Sequence, residues 1–325
     1  MKLSIGISES SAKRPYFDIS ATQVSVALLS DYLQLLSQIW NAQGNANNRV
    51  PALLRAFRWY SACHGHPIPE DRPVLHQVFG DRLFPCHLDS VVARDVMYRS
   101  EWFDYEMLKF MQAFLRPEDH FLDVGANTGL HTLLASTCLT TGRITCVEPD
   151  PKNLRRLHHL IALNQINNAM VHEVAASDAS GHIVLEGADV FARMTPGTNA
   201  AGEGRAALVA TARLDELLGN TTRVDYCKID VEGAEWQVLK GMTEWMQRKT
   251  LPVVVFEMNG SLHAYGHQEE EFLSWLRAKG YKLANYRHHE RTLRMGPPYD
   301  DNIFALTSEG VELASSRIPG LRIQE

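Results

Sequence analysis

Two things are scarce in this chain, cysteine and uninterrupted apolar sequence. Its 325 residues hold five cysteines, an odd number, and none stand in a Cys-x-x-Cys pair. That excludes a disulfide framework and the usual structural zinc spacings. Neither "CHGH" at 63–66 nor "CH" at 86–87 matches a zinc pattern. Cys138, Cys146 and Cys227 lie in apolar runs and read as reduced core residues, which suits a cytoplasmic chain. The longest apolar stretch, VSVALLSDYLQLLSQIW, is broken by Ser and Asp at helical spacing, so no membrane span is expected. MKLSIGISESSAKRP at the N-terminus has no apolar core and does not read as a secretory signal. Basic runs are missing as well. With 32 Lys+Arg against 38 Asp+Glu the net charge is −6, and a nucleic-acid partner, which needs a basic face, is not expected.

What is present is a change of pattern along the chain. Val26, Leu29, Leu33, Leu36 and Trp40 recur at spacings of three and four, which predicts an amphipathic helix over 22–43. A second helix is expected over PALLRAFRWYSAC, then a loop through HGHPIPEDRP, and a short strand near Leu83–His87. Residues 1–100 therefore read as a mainly helical N-terminal extension. From His120 onward, strands alternate with helices: FLDVG, RITCVEP, NAMVHEVAASD, VDYCKID and LPVVVFEM are the strands, near-continuous apolar runs of the kind found in buried parallel sheets. YKLANY and NIFALT close the pattern, separated by too little chain for a crossover helix, so they should pair antiparallel. The expected fold is α/β, an open Rossmann-like sheet with an antiparallel last strand over 101–310, followed by a tail at 311–325. The Gly- and Ala-rich segment 187–206 is expected as a mobile loop.

The first strand runs into a glycine turn, FLDVGANTGLHT, where such sheets bind nucleotides. A dinucleotide fingerprint needs a second glycine where this turn has Asn127, and no basic residue lies in the turn. The pattern suits a ligand with an ammonium and a carboxylate but no phosphate, and S-adenosyl-L-methionine is such a ligand. Asp123 could take its amino group, and the N–H groups of the turn its carboxylate. Glu148, closing the second strand, is placed to hold two ribose hydroxyls, and Asp178 in AASD to read the adenine amino group. Each alone could be an ordinary turn residue; three at successive strand ends form a set.

KIDVEGAEWQVLKG places Lys228, Asp230, Glu232 and Glu235 around the end of the fourth strand, and Glu257 ends the fifth. Adjacent strands lie about 4.8 Å apart, so Asp230 and Glu257 could share a pocket. At this point the chain resembles the FkbM family of S-adenosylmethionine-dependent methyltransferases. The matching stretches are FLDVGANTGLHTLLA, VEPDPKNLRRLHHLIALN, AASDASG, RLDELL, KIDVEGAEWQVLKG and VVVFEMN, in the family's order. The resemblance implies a class I methyltransferase fold and methyl transfer to a hydroxyl of a small molecule, a sugar or polyketide-type natural product. It assigns Asp123, Gly125, Asn127, Gly129, Glu148 and Asp178 to the cofactor.

An alkyl hydroxyl is a poor nucleophile, so a base or a metal should assist. Asp230 is the leading candidate, as base or, with Glu257, as ligand of a divalent ion such as Mg; alternatively Asp230 and Glu232 merely organise the turn. His263 is the histidine candidate, ahead of His131 and His267. Three uses of the N-terminal helices stay open: lid, substrate platform or homodimer contact. The competing readings are an NAD-dependent oxidoreductase and a non-catalytic cofactor-binding module.

Overall fold

The computed structural model describes residues 35–42, 45, 49–64, 73–99, 104–186, 193–195, 206–219 and 223–325. The chain divides into two units, residues 1–38 and 39–325, and both the sheets and the cleft belong to the second. Of the helix expected over 22–43, residues 22–34 lie outside the described residues, and 35–41 are helical.

The second expected helix forms over Arg49–His64. After it comes a hairpin of β1 (Val74–Val78) and β2 (Arg82–Cys86), then a helix over Val91–Arg99. A strand near 83–87 was expected, but its partner was not. The hairpin is fixed to the end of the helix Pro151–Leu163 at Asn164, whose carbonyl accepts from the Arg82 guanidinium at 3.2 Å. The Asn164 amide accepts from the Leu83 N–H at 2.8 Å and donates to the Leu83 carbonyl at 2.8 Å.

The main sheet is built from β3 (His120–Val124), β4 (Arg143–Val147), β5 (Ala169–His172), β10 (Tyr226–Ile229), β11 (Val253–Glu257), β12 (Lys282–Arg287), β13 (Thr292–Met295), β14 (Asn302–Leu306) and β15 (Arg322–Gln324). Their spatial order is β15-β13-β12-β14-β11-β10-β3-β4-β5. From β5 to β11 every pair is parallel, and β14 enters antiparallel between β11 and β12. The strand order reverses between β3 and β10, which opens a crevice at their carboxyl ends. This is the expected open Rossmann-like α/β sheet with an antiparallel strand late in the chain. Two strands beyond β12, namely β13 and β15, were not expected.

Strand periodicity divides the core between the two faces. Phe121, Tyr226, Val253 and Val255 enter one cluster with Phe110, Phe114 and Phe304. Leu122, Val124, Cys227, Ile229, Val254 and Phe256 enter the other with Trp245 and Phe272. Burying side chains of this size contributes about 1.5–3 kcal/mol each. Cys86, Cys138, Cys146 and Cys227 are free; of the three expected in the core, Cys146 and Cys227 are buried and Cys138 is partly so.

The third expected strand is a correction. NAMVHEVAASD is not one strand: β5 stops at His172, and β6 (Ala175–Ala176) pairs with β9 (Ala206–Ala212) in a second sheet of order β6-β9-β7-β8. There β7 is Gly181–Glu186 and β8 is Arg193–Thr195. The expected loop over 187–206 therefore contains β8, paired antiparallel with β7; residues 187–192 and 196–205 lie outside the described residues.

The stretch expected as a tail is built into the fold. A helix over Ser308–Arg317 is capped by Thr307, whose hydroxyl accepts from Gly310 N–H at 3.1 Å. Past that helix, β15 pairs with β13. Arg317 grips the buried Asp119 with two nitrogens, at 2.7 and 3.1 Å. Arg317→Met would leave that carboxylate with the Arg116 N–H but no counter-charge, so a loss of about 3 kcal/mol is expected in urea unfolding. The double variant Arg317→Met/Asp119→Asn should recover part of it.

Candidate active site

The turn after β3 takes its shape from contacts behind it. Gly125 has φ +75, and a Cβ there would overlap the backbone carbonyl oxygen of Asp230. The turn and the end of β10 touch backbone to backbone, and Asp230 N–H donates to the Val124 carbonyl at 3.0 Å. Gly129 has φ +91, and its missing Cβ makes room for Leu157 and Leu160 of the neighbouring helix. Asn127 sits between them at φ +49, in the left-handed region that Asn tolerates. Its N–H donates to Glu148 Oε2 at 2.7 Å, while Asp150 N–H donates to Glu148 Oε1 at 2.8 Å. Glu148 thus ties the end of the second strand to the turn after the first.

A cleft open to solvent lies at this point. Gly125, Asn127 and Glu148 line it from one side, with Pro149 and Asn153. Asp230, Val231 and Glu232 line it from the other, and Ala175, Ala176 and Leu185 of the small sheet close it. No lysine or arginine is among the lining residues, which include three carboxylates.

Three expected cofactor residues are not among those lining the cleft. Asp123 is fully buried beneath the turn, accepting from the Thr132 hydroxyl at 2.7 Å, and Gly129 acts in helix packing. Neither lines the cleft, and neither does Asp178, which is exposed with its side chain 3.4 Å from Ser177 Oγ. The physical reason is the split third strand, which puts Ala175 and Ala176 at the wall where Asp178 was expected.

The fourth-strand acids come together as anticipated. Among the described residues, carboxylate oxygens of Asp230, Glu232 and Glu257 lie within 4.8 Å of one another. Glu232 has φ +55, an uncommon conformation for a residue with a long side chain. It is followed by Gly233, where a Cβ would press on the Ser261 backbone at 2.5 Å. The turn is held from below by Glu235, whose Oε1 accepts from Val231 N–H at 3.3 Å and Gly233 N–H at 3.1 Å. Glu235 thus does the turn-organising work that the sequence offered as the alternative for Asp230 and Glu232. Burial pushes the Glu235 carboxyl up to about 7, against the pull of those N–H groups.

Lys228 carries no role that its sequence context alone assigns. In register opposite Asp123 and on the same sheet face, it is 3% exposed. Its Nζ lies 3.2 Å from Asp230 Oδ2, 3.2 Å from the Gly125 carbonyl and 3.7 Å from Asp123 Oδ1. Burial works against the ammonium, but Asp230 and Asp123 beside it raise its pKa above the ordinary lysine value. The signal was available in principle, since a lysine two residues before an acid at a strand end can turn back on it.

The histidine candidates do not reach the cleft lining. His263 is exposed, its ring 3.1 Å from the His267 carbonyl, and His267 lies against Trp236. His131 is buried, its Nε2 3.7 Å from Asp104, and burial lowers its pKa well below the usual histidine value.

The sequence that builds this site has relatives. The model of the methyltransferase FkbM domain matches residues 123–283. The match takes in just under half of the chain. It spans the glycine turn, Glu148, Lys228 and the three clustered acids. Hexuronic acid methyltransferase AglP of Haloferax volcanii is 28% identical over 153 residues, covering 46% of this chain and 61% of that protein. "Methyltransferase 1" of Beauveria bassiana is 28% identical over 150 residues, covering 39% and 60%. The chain thus matches about three fifths of the length of each relative. Among solved structures, an O-methyltransferase from Bacillus cereus in complex with SAH has a TM-score of 0.38 at 14% identity, covering 62% of this chain and 80% of that one. Among the described residues no helix is long and apolar enough to cross a membrane.

Proposed function

We propose that this chain transfers a methyl group from S-adenosylmethionine to a hydroxyl of a small molecule, a sugar or a polyketide-type natural product. The observation that carries this is the lining of the cleft: three acidic residues, two asparagines and apolar walls, with no lysine or arginine to meet a phosphate. That lining suits a cationic, phosphate-free adenosyl ligand and disfavours a nicotinamide dinucleotide. The sugar class is supported by the relative named for a hexuronic acid.

When bound, the cofactor supplies an already electrophilic methyl group. The residues of this chain must align the acceptor and handle its proton. Lys228 holds one oxygen of Asp230. The other is left to accept the hydroxyl proton, which would go to Oδ1 as the oxygen attacks. Asp230, Glu232 and Glu257 would be the ligands if a divalent ion serves instead, since hard cations take oxygen ligands. Glu148 would hold the ribose.

The testing experiment is a screen for methylated product from labelled cofactor against sugars, glycolipids and polyketide-type alcohols, with and without chelator. Labelled product from a hydroxyl acceptor is expected. Heat on titrating NAD, with none from S-adenosylmethionine, would overturn the reading. Chelator-insensitive turnover would leave Asp230 as base and remove the ion.

Glu148 gives a pH prediction. Burial pushes its carboxyl up to about 7, although the Asp150 and Asn127 N–H groups act the other way. Below that pH the free site is protonated, and a ligand that needs the carboxylate must displace the proton. Cofactor affinity should therefore weaken by up to about tenfold per pH unit below 7 and level off above it. Calorimetry across this range checks it, and Glu148→Gln should bind weakly with that limb flattened.

A further inference from the structure

We propose that Lys228 sets how strongly the cleft prefers the charged methyl donor over its demethylated product. The inference rests on the cofactor reading above. S-adenosylmethionine and S-adenosylhomocysteine share the adenosine, the amino group and the carboxylate. They differ by one methyl group and one positive charge at sulfur. Glu148, Asn127 and the apolar walls therefore hold both, and charges bordering the cleft tell them apart.

Asp230 and Glu232 line the cleft, and Glu257 stands within 4.8 Å of them. Left alone, this group would favour the sulfonium strongly, and it would do so before reaction as well as during it. Methyl transfer removes the charge at sulfur, so stabilising that charge in the bound donor adds to the barrier. Lys228 offsets one of these carboxylates. Its side chain is 3% exposed, and the ammonium stands 3.2 Å from Asp230 Oδ2, behind the lining. It cannot swing away, because the Gly125 carbonyl accepts from it at 3.2 Å and Asp123 Oδ1 lies at 3.7 Å. The same bond ties the charge to the cofactor turn. Lys228 is a positioning residue with a fixed electrostatic effect.

The test is calorimetric titration of both compounds into the full chain and its variants, reading the ratio of product Kd to donor Kd. Lys228→Met removes a positive charge and should raise the ratio by about tenfold, a conservative value for one charge near a protein surface. Lys228→Arg keeps the charge and should leave it within about twofold of wild type. Asp230→Asn should shift the ratio the other way. A brace without electrostatic effect would weaken both compounds alike, and an unchanged ratio in Lys228→Met overturns the proposal. If that variant does not fold, Lys228→Gln, which keeps a donor and loses only the charge, takes its place. Failure of both to fold makes Lys228 a structural brace and overturns the assignment too. Wild-type chain that binds neither compound sinks the cofactor reading instead, which separates the two failures.

Discussion

Asp230→Asn is expected to lower turnover by a thousandfold or more, about what loss of a positioned general base or a metal ligand costs, while the cofactor still binds. The substitution keeps size and shape. Lys228 Nζ, now 3.2 Å from Asp230 Oδ2, can still donate to the new amide oxygen, and Asp123 remains as its counter-charge at 3.7 Å. The backbone bond from residue 230 to the Val124 carbonyl is untouched. The fold and the glycine turn should survive, and only proton acceptance or ion binding should be lost. The measurement pairs single-turnover methylation of the best acceptor with calorimetry of the cofactor. Glu257→Gln then divides the mechanisms. If an ion is held, it should fall nearly as far as Asp230→Asn; if Asp230 acts alone as base, it should fall by less than about tenfold. Near-normal turnover in Asp230→Asn would remove that residue from the chemistry.

The parts of this molecule that were legible in the sequence are those governed by local pattern. Strands β3, β4, β10 and β11 are mostly apolar and mostly buried on both faces, so apart from Asp123 and Lys228 their composition matched their burial. Asp230 and Glu257 could be placed together because strand order puts their ends side by side. What failed depended on distant partners. The division of the third strand exists because Ala175 and Ala176 pair with Thr211 and Ala212 of β9, and no local signal in VHEVAASD marks it. The N-terminal hairpin was hidden by its turn, Phe79-Gly80, with φ +47 and +89. Such a turn favours Asn-Gly, and a proline within a strand, here Pro85, argues against one. Lys228 was visible but mute. Its role follows from standing opposite Asp123 in the sheet, which the chain order alone does not state.

Gly125→Ala is expected to be the most damaging single-methyl change in the site. The added Cβ would overlap the Asp230 carbonyl oxygen, at a backbone φ of +75 that L side chains rarely adopt. Neither neighbour can yield cheaply. Gly125 N–H donates to the Val147 carbonyl at 2.9 Å, its carbonyl accepts from Lys228 at 3.2 Å, and Asp230 N–H is held by Val124 at 3.0 Å. Relief requires parting β3 from β10 at the crevice, so a loss of more than about 4 kcal/mol is expected, with cofactor binding lost even where the chain stays folded. Gly260→Ala separates the two causes. Its φ of +84 is similar, but a Cβ there meets nothing within 4 Å, so only the backbone term of about 1–2 kcal/mol should appear. Urea unfolding of both variants reads the difference directly. Equal losses would mean that the turn and the end of β10 are not in contact, and a cleft bounded by the two would not exist.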